Sequence, residues 1–147
     1  LGTDCAFELG GKCFTAPFTP TPMTKAECEA EKDKLGIRFC YYDNDYWAGV
    51  VKQCGGVSKM PTRADLTELA KVLYNTSSIN SSSHTFNVTF DTSKASSMGF
   101  PDSGFYAWTG DELDSISVYK RFFLPEVTYA GYDKRNYSYY KAVCLGD

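Results

Sequence analysis

One stretch of this 147-residue chain repeats apolar residues at helical spacing, and the rest changes pattern several times. From Thr62 to Tyr74, Leu66, Leu69, Ala70 and Leu73 fall on one face. Thr62 stands as N-cap with Asp65 three residues on, which predicts an amphipathic helix. Tyr46–Cys54 (YWAGVVKQC) predicts another helix, stopped by Gly55-Gly56. A further one opens at Thr24, where Glu27 completes a capping-box pattern, and ends at Gly36. Residues 1–22, rich in Gly, Thr and Pro, read as extended, turn-prone peptide. Residues 75–97 are a Ser/Thr/Asn-rich loop, inside which Phe86, Val88 and Phe90 alternate as a short strand would. Past Phe105 the pattern predicts short strands, Phe105–Trp108, Val118–Phe123 and Lys141–Leu145, punctuated by Gly110, Pro125 and Gly131.

Composition sets the bounds on this pattern. At 147 residues the chain is expected to form a single domain with one core. A net charge of −3 argues against a binder that tracks nucleic-acid phosphates, which needs a basic stripe. No stretch approaches the roughly 20 apolar residues of a membrane helix. Leu1-Gly2-Thr3-Asp4 lacks the basic start and apolar segment of a signal peptide, and there is no initial Met. We therefore expect a mature or trimmed chain whose leader or anchor lies outside it.

Six cysteines (Cys5, Cys13, Cys28, Cys40, Cys54 and Cys144) point to an oxidising compartment, extracellular or at a cell surface. Without a CxxC, and with His84 as the only histidine, zinc is not expected, nor is any other metal or cofactor. Six cysteines allow fifteen pairings, among which sequence does not choose. The expected set is Cys5–Cys13 and Cys28–Cys40 as local staples, with Cys54–Cys144 closing the long loop.

The residues from 105 to 140 add the candidate chemistry. They hold eleven of the chain's 23 aromatic residues, seven of them Tyr, without a long apolar run. Tyr gives large, rigid contact area at low entropic cost, and Tyr among Ser, Gly and Asn is the composition of a paratope. The other reading of such rings is half-buried sheet packing. Trp108 and Phe122 fit that reading best, whereas Tyr129, Tyr132, Tyr137, Tyr139 and Tyr140 stand among polar neighbours.

The segment WAGVVKQCGGVSKMPTRADLTELAKVLY carries a pattern on Ala48 or Gly49, Cys54, Gly56, Met60, Pro61, Thr62, Asp65, Leu66 and Leu69. An aromatic-Trp-Thr turn (Tyr106, Trp108, Thr109) and a closing Val143-Cys144 follow. The pattern resembles the C-type-lectin fold in its bacterial form, as in formylglycine-generating-enzyme-like domains. The ending AVCLGD behind a polar-aromatic tract is more similar to the variable proteins of diversity-generating retroelements. The resemblance covers residues 46–147, while 1–45, a Pro-rich extension with one helix, match nothing. It implies an α+β, C-type lectin-like fold: helices around a small, mostly antiparallel sheet with long loops, stabilised by disulfides. It also implies a variable region at 105–140. Such retroelements turn AAC codons into NNC, and between Asp111 and Tyr140 only Glu112, Lys120, Glu126 and Lys134 fall outside what NNC encodes.

The expected ligand-binding face comprises Tyr106, Trp108, Asp111, Leu113, Asp114, Ser117, Phe123, Leu124, Val127, Tyr129, Tyr132, Asp133, Asn136, Tyr137 and Tyr139. It implies a non-enzymatic receptor-binding or adhesin domain displayed on a cell surface, pilus or phage, with a protein or glycan on another cell as partner. The alternative is a fixed-specificity lectin-like module or a pilin-like subunit of a secreted assembly. Other constellations carry less. Asp43-Asn44-Asp45 offers oxygen ligands for Ca²⁺ but also reads as a turn and N-cap. Asp111, Glu112 and Asp114 read as a solvated face before a pair of catalytic acids. Asn75, Asn80, Asn87 and Asn136 each begin an Asn-x-Ser/Thr triplet, which matters only where the source glycosylates them.

Overall fold

A computed structural model describes residues 5–146. They form a mixed α+β arrangement with small antiparallel sheets and three disulfides. A two-residue Gly10-Gly11 turn joins β1 (Phe7–Leu9) to β2 (Lys12–Phe14). Helix α1 (Lys25–Leu35) starts on the Thr24/Glu27 capping box and ends on Gly36 at φ 79°. It buries only Cys28 and Leu35, so a disulfide holds it where apolar area is scarce. Helix α2 (Tyr46–Cys54) is the opposite case, with Trp47, Ala48, Gly49, Val50, Val51 and Cys54 all buried. A Cβ on Gly49 would collide with the carbonyl oxygen of Thr21, so glycine lets the Pro-rich segment cross α2 closely.

Helix α3 (Arg63–Leu73) opens on a second capping box, Thr62 with Asp65, and buries the predicted apolar stripe. The Ser/Thr/Asn-rich stretch carries one element that its composition hid. Asp91 caps a short helix, α4 (Thr92–Ser97), by accepting from the Lys94 amide.

The main sheet is an antiparallel meander, β3 (Phe105–Glu112), β4 (Ser117–Phe123) and β5 (Thr128–Lys134). Strand β5 was not foreseen, and Gly131, expected as punctuation, lies inside it opposite Lys120. Lys141–Leu145 pairs only through isolated bridges. Ala107 meets Lys141 in parallel, while Phe18 meets Ala142 and Phe14 meets Leu145 antiparallel. Two of these bridges stitch the stretch from Phe14 to Phe18 to the C-terminal segment. Phe86, Val88 and Phe90 run extended as their alternation suggested, donating in turn to the carbonyls of Thr128, Glu126 and Pro125.

The cysteines pair as expected, Cys5–Cys13, Cys28–Cys40 and Cys54–Cys144. The last ties the end of α2 to the C-terminal segment across 90 residues of chain. The sheet separates two cores. Phe105, Ala107 and Phe123 pack with Leu66, Leu69, Leu73, Phe90 and Phe100 on one side, while Trp108 and Val118 pack with Met23, Trp47, Val50 and Tyr140 on the other. No helix among the described residues is long and apolar enough to cross a membrane.

Candidate binding face

Strand register decides which side chains share a surface, because directly opposed residues of an antiparallel pair point to the same face. Tyr106, Phe122 and Tyr129 are opposed across the three strands, and so are Trp108, Lys120 and Gly131 one step along the same face. Tyr106 meets Phe122 edge to face at 4.4 Å, and Phe122 meets Tyr129 at 4.6 Å. The segment after β5 folds back over this face. There Tyr140 stacks on Trp108 at 3.9 Å, Tyr139 lies 5.6 Å from Tyr106, and Tyr137 stacks on Tyr139 at 5.4 Å. Trp108 and Tyr140 are buried, Tyr106, Phe122, Tyr129 and Tyr137 are half-buried, and Tyr139 is 60 % exposed. The result is an aromatic layer with a sealed floor and an open top.

A charged pair is set into that floor. The Lys120 ammonium lies 2.8 Å from the centroid of the Phe122 ring and 4.9 Å from that of Tyr129. Its carboxylate partner is Asp133, at 3.6 Å. Burial pushes the Lys120 amine down to about 8, against the pull of Asp133. Tyr140 donates its hydroxyl to the same carboxylate. Burial first, and then that hydrogen bond and the negative charge of Asp133, hold the Tyr140 phenol well above its usual range. The rings around Lys120 supply quadrupole stabilisation that replaces part of its lost hydration.

Of the fifteen expected face residues, Tyr106, Tyr129, Asp133, Tyr137 and Tyr139 come together here. Trp108 and Phe123 do not belong to a surface. They are 1 % and 0 % exposed, Trp108 under Tyr140 and Phe123 stacked on Phe105 in the opposite core. Tyr132 is exposed but lies on the reverse face, opposite Tyr119. Leu113 and Asp114 occupy the β3–β4 turn, with Asp111 and Ser117 flanking it, while Leu124 and Val127 occupy the β4–β5 turn. The two turns lie at opposite ends of β4, about 20 Å apart at strand rise. Asn136 is exposed beside Tyr137.

The sequence reading omitted Phe122 from the face, and Lys120 and Tyr140, which lie buried in its floor. Phe122 was assigned to the core and Phe123 to the surface, and the pleat reverses them. Once Tyr106 and Tyr129 are placed outward, their register puts Phe122 outward and Phe123 inward.

The acidic residues are engaged structurally. Arg135, wholly buried, donates from Nε to Asp45 at 2.8 Å, from Nη1 to Glu112 at 3.1 Å and from Nη2 to the Phe39 carbonyl at 3.0 Å. Asp45 also caps α2 by accepting from the Ala48 amide, so the Asp43-Asn44-Asp45 run is a turn and N-cap. Burial raises the Asp45 carboxyl above its usual range even beside Arg135. Asp114 accepts from the Ile116 and Ser117 amides, which lowers its carboxyl, and Asp111 lies 3.4 Å from Arg63.

Comparison with protein-family models, with curated proteins and with solved structures finds no match to this chain.

Proposed function

We propose that this chain is a non-enzymatic ligand-binding domain and that its docking face is the aromatic layer of Tyr106, Phe122, Tyr129, Tyr137 and Tyr139. One observation carries the reading. Rings from three strands and the C-terminal segment converge on one side of the sheet and stay partly open, although the same chain seals its phenylalanines on the other side. Contiguous apolar surface of this kind is where partners dock. Tyrosine hydroxyls around Asp133 add hydrogen-bonding capacity to ring area, which suits a glycan or a protein loop on another cell surface. The engagement of Asp45, Asp111, Glu112 and Asp114 in caps and ion pairs supports a binding role over acid–base catalysis.

A C-type lectin-like arrangement displayed at a cell surface, pilus or phage is the fuller form of this reading. Its support is the pairing of Phe14 and Phe18 with Leu145 and Ala142 and the disulfide from α2 to the C-terminal segment. In the retroelement version, diversification has little freedom at Phe123, Thr128, Arg135 and Tyr140, which packing fixes. Variation is expected at Leu113, Ser117, Leu124, Val127, Tyr129 and Tyr139. Sequencing the gene across its source population tests this. Substitutions no denser there than in α3 would favour a fixed lectin-like module.

The direct test immobilises the chain against a glycan array and a random-peptide display library. Tyr129→Ser, Tyr137→Ser and Tyr139→Ser together should abolish recovery of the glycans or peptides that the unsubstituted chain selects. Equal recovery on both chains would sink the proposed face.

A further inference from the structure

Four of the five asparagines, Asn75, Asn80, Asn87 and Asn136, begin an Asn-x-Ser/Thr triplet. Three of them fall in the Ser/Thr-rich stretch, where such triplets arise from composition alone, so each must be judged by its setting. A usable amide has to face water and must not be committed to a native contact.

Asn87 meets both conditions. Phe86, Val88 and Phe90 turn toward the protein as their amides bond to Thr128, Glu126 and Pro125, and the alternation leaves Asn87 and Thr89 outside. Asn80 is fixed by two oxygens only. Its carbonyl accepts from Arg121 Nη1 and its Oδ1 from the Ser82 amide, which leaves Nδ2 without a partner among the described residues. Asn136 is exposed directly after the buried anchor Arg135 and makes no side-chain hydrogen bond among the described residues. Asn75 differs. It is exposed, but its Nδ2 donates to Asp91 at 3.1 Å and its Oδ1 accepts from Lys94 Nζ, at a backbone φ of 52°. Asp91 is the N-cap of α4, so the Asn75 amide is part of that cap, and a sugar there would sit between the groups it joins.

We propose that Asn80, Asn87 and Asn136 carry N-linked glycans and that Asn75 does not. The donor is an oligosaccharide on a polyisoprenyl diphosphate. Asparagine Nδ2 attacks the sugar C1, and the new N–C1 bond replaces the C1–O bond. The lipid diphosphate leaves with that electron pair, and the proton released from Nδ2 passes to a base of the transferase. The three disulfides are in keeping with passage through an oxidising secretory compartment, where such donors are used. Two of the glycans would stand on the stretch whose Asn80 holds Arg121 from the phenylalanine side of the sheet. The third would flank the aromatic layer next to Tyr137.

The test is peptide mapping of the protein from its own source, before and after peptide N-glycosidase in heavy-oxygen water. The enzyme converts each occupied asparagine to a heavy aspartate. The expected result is conversion at Asn80, Asn87 and Asn136, with Asn75 recovered as unmodified asparagine. Unmodified asparagine at any of those three before enzyme treatment overturns the assignment at that position, and a glycan on Asn75 overturns the argument from the α4 cap. The readout is chemical and site by site, so its failure leaves the ligand-binding reading standing.

Discussion

The two sides of the β3–β5 sheet are built from alternate residues of the same strands, yet they are held together differently. On the phenylalanine side, Phe100, Phe105 and Phe123 stack in series at 4.1 and 4.4 Å under α3 and α4, and no cysteine takes part. On the tyrosine side, part of the aromatic area stays open to water. There Cys28–Cys40, Cys54–Cys144 and the Arg135 hub tie the layer to α1, α2 and the C-terminal segment. Each side also buries one cation of β4. Lys120 has Asp133, whereas Arg121 has no carboxylate among the described residues and leans on Thr128 and the Asn80 carbonyl. A layer that keeps a face available gives up part of its hydrophobic closure. Here two disulfides tie it covalently, while Arg135 holds buried carboxylates that could not stand alone.

If that contrast is right, the tyrosine side should fail through its ties and the phenylalanine side through its packing. Replacing Cys54 and Cys144 together by Ala should cost about 4–5 kcal/mol, the chain-entropy value for a loop of this length, read by denaturant unfolding. Arg135→Met should cost about 3–5 kcal/mol, because Asp45 then lies buried without its cation and Glu112 keeps only Arg38, at 3.7 Å. On the other side, Phe123→Ala should cost about 3–5 kcal/mol, while its neighbour Phe122→Ala should cost less than half as much. Equal costs for the two phenylalanines would mean that the open side is as closely packed as the sealed one.

Much of this division was legible in the sequence, though not its register. Capping boxes at Thr24 and Thr62 and glycine stops at Gly36 and Gly55 are local signals that no tertiary contact overrides. Strand β5 was missed because TYAGYDK alternates Tyr with small or charged residues, and its inner positions, Thr128 and Ala130, are not strongly apolar. Without β5 there was no partner to set the pleat, so Phe122 and Phe123 were exchanged. The pairing of Lys120 with Asp133 and the Arg135 hub join residues through the fold, and nothing in local spacing announces either.

The cation on the tyrosine side gives a pH signature of its own between about pH 8 and 10. The Lys120 amine titrates near 8 in the folded protein, because burial disfavours its charge, and near 10.4 when unfolded. Between those values the unfolded chain binds the extra proton, so this group's contribution to stability rises with pH across that window. Tyr74, whose phenol burial holds above its usual range, works in the opposite direction above pH 10 and is common to both chains compared. The stability difference between the unsubstituted protein and Lys120→Met should therefore grow in favour of the unsubstituted protein from pH 8 to 10. A flat difference would mean that the ammonium is solvated and that the aromatic floor is not sealed.

The smallest expected effect separates the open face from mere exposure. Tyr132 and Tyr139 are 59 % and 60 % exposed, so water contact alone treats them alike. Tyr132 projects from the reverse face beside Tyr119, whereas Tyr139 touches Tyr106, Tyr137 and Tyr140 in the proposed docking layer. Either residue changed to Ser should shift unfolding by no more than about half a kcal/mol, since neither fills a core. Binding of glycans or peptides selected on the unsubstituted chain should fall only with Tyr139→Ser, which removes a ring from the layer. Loss with Tyr132→Ser and not with Tyr139→Ser would move the docking surface to the Arg63–Tyr119 side, where a guanidinium already lies 4.2 Å over a tyrosine ring.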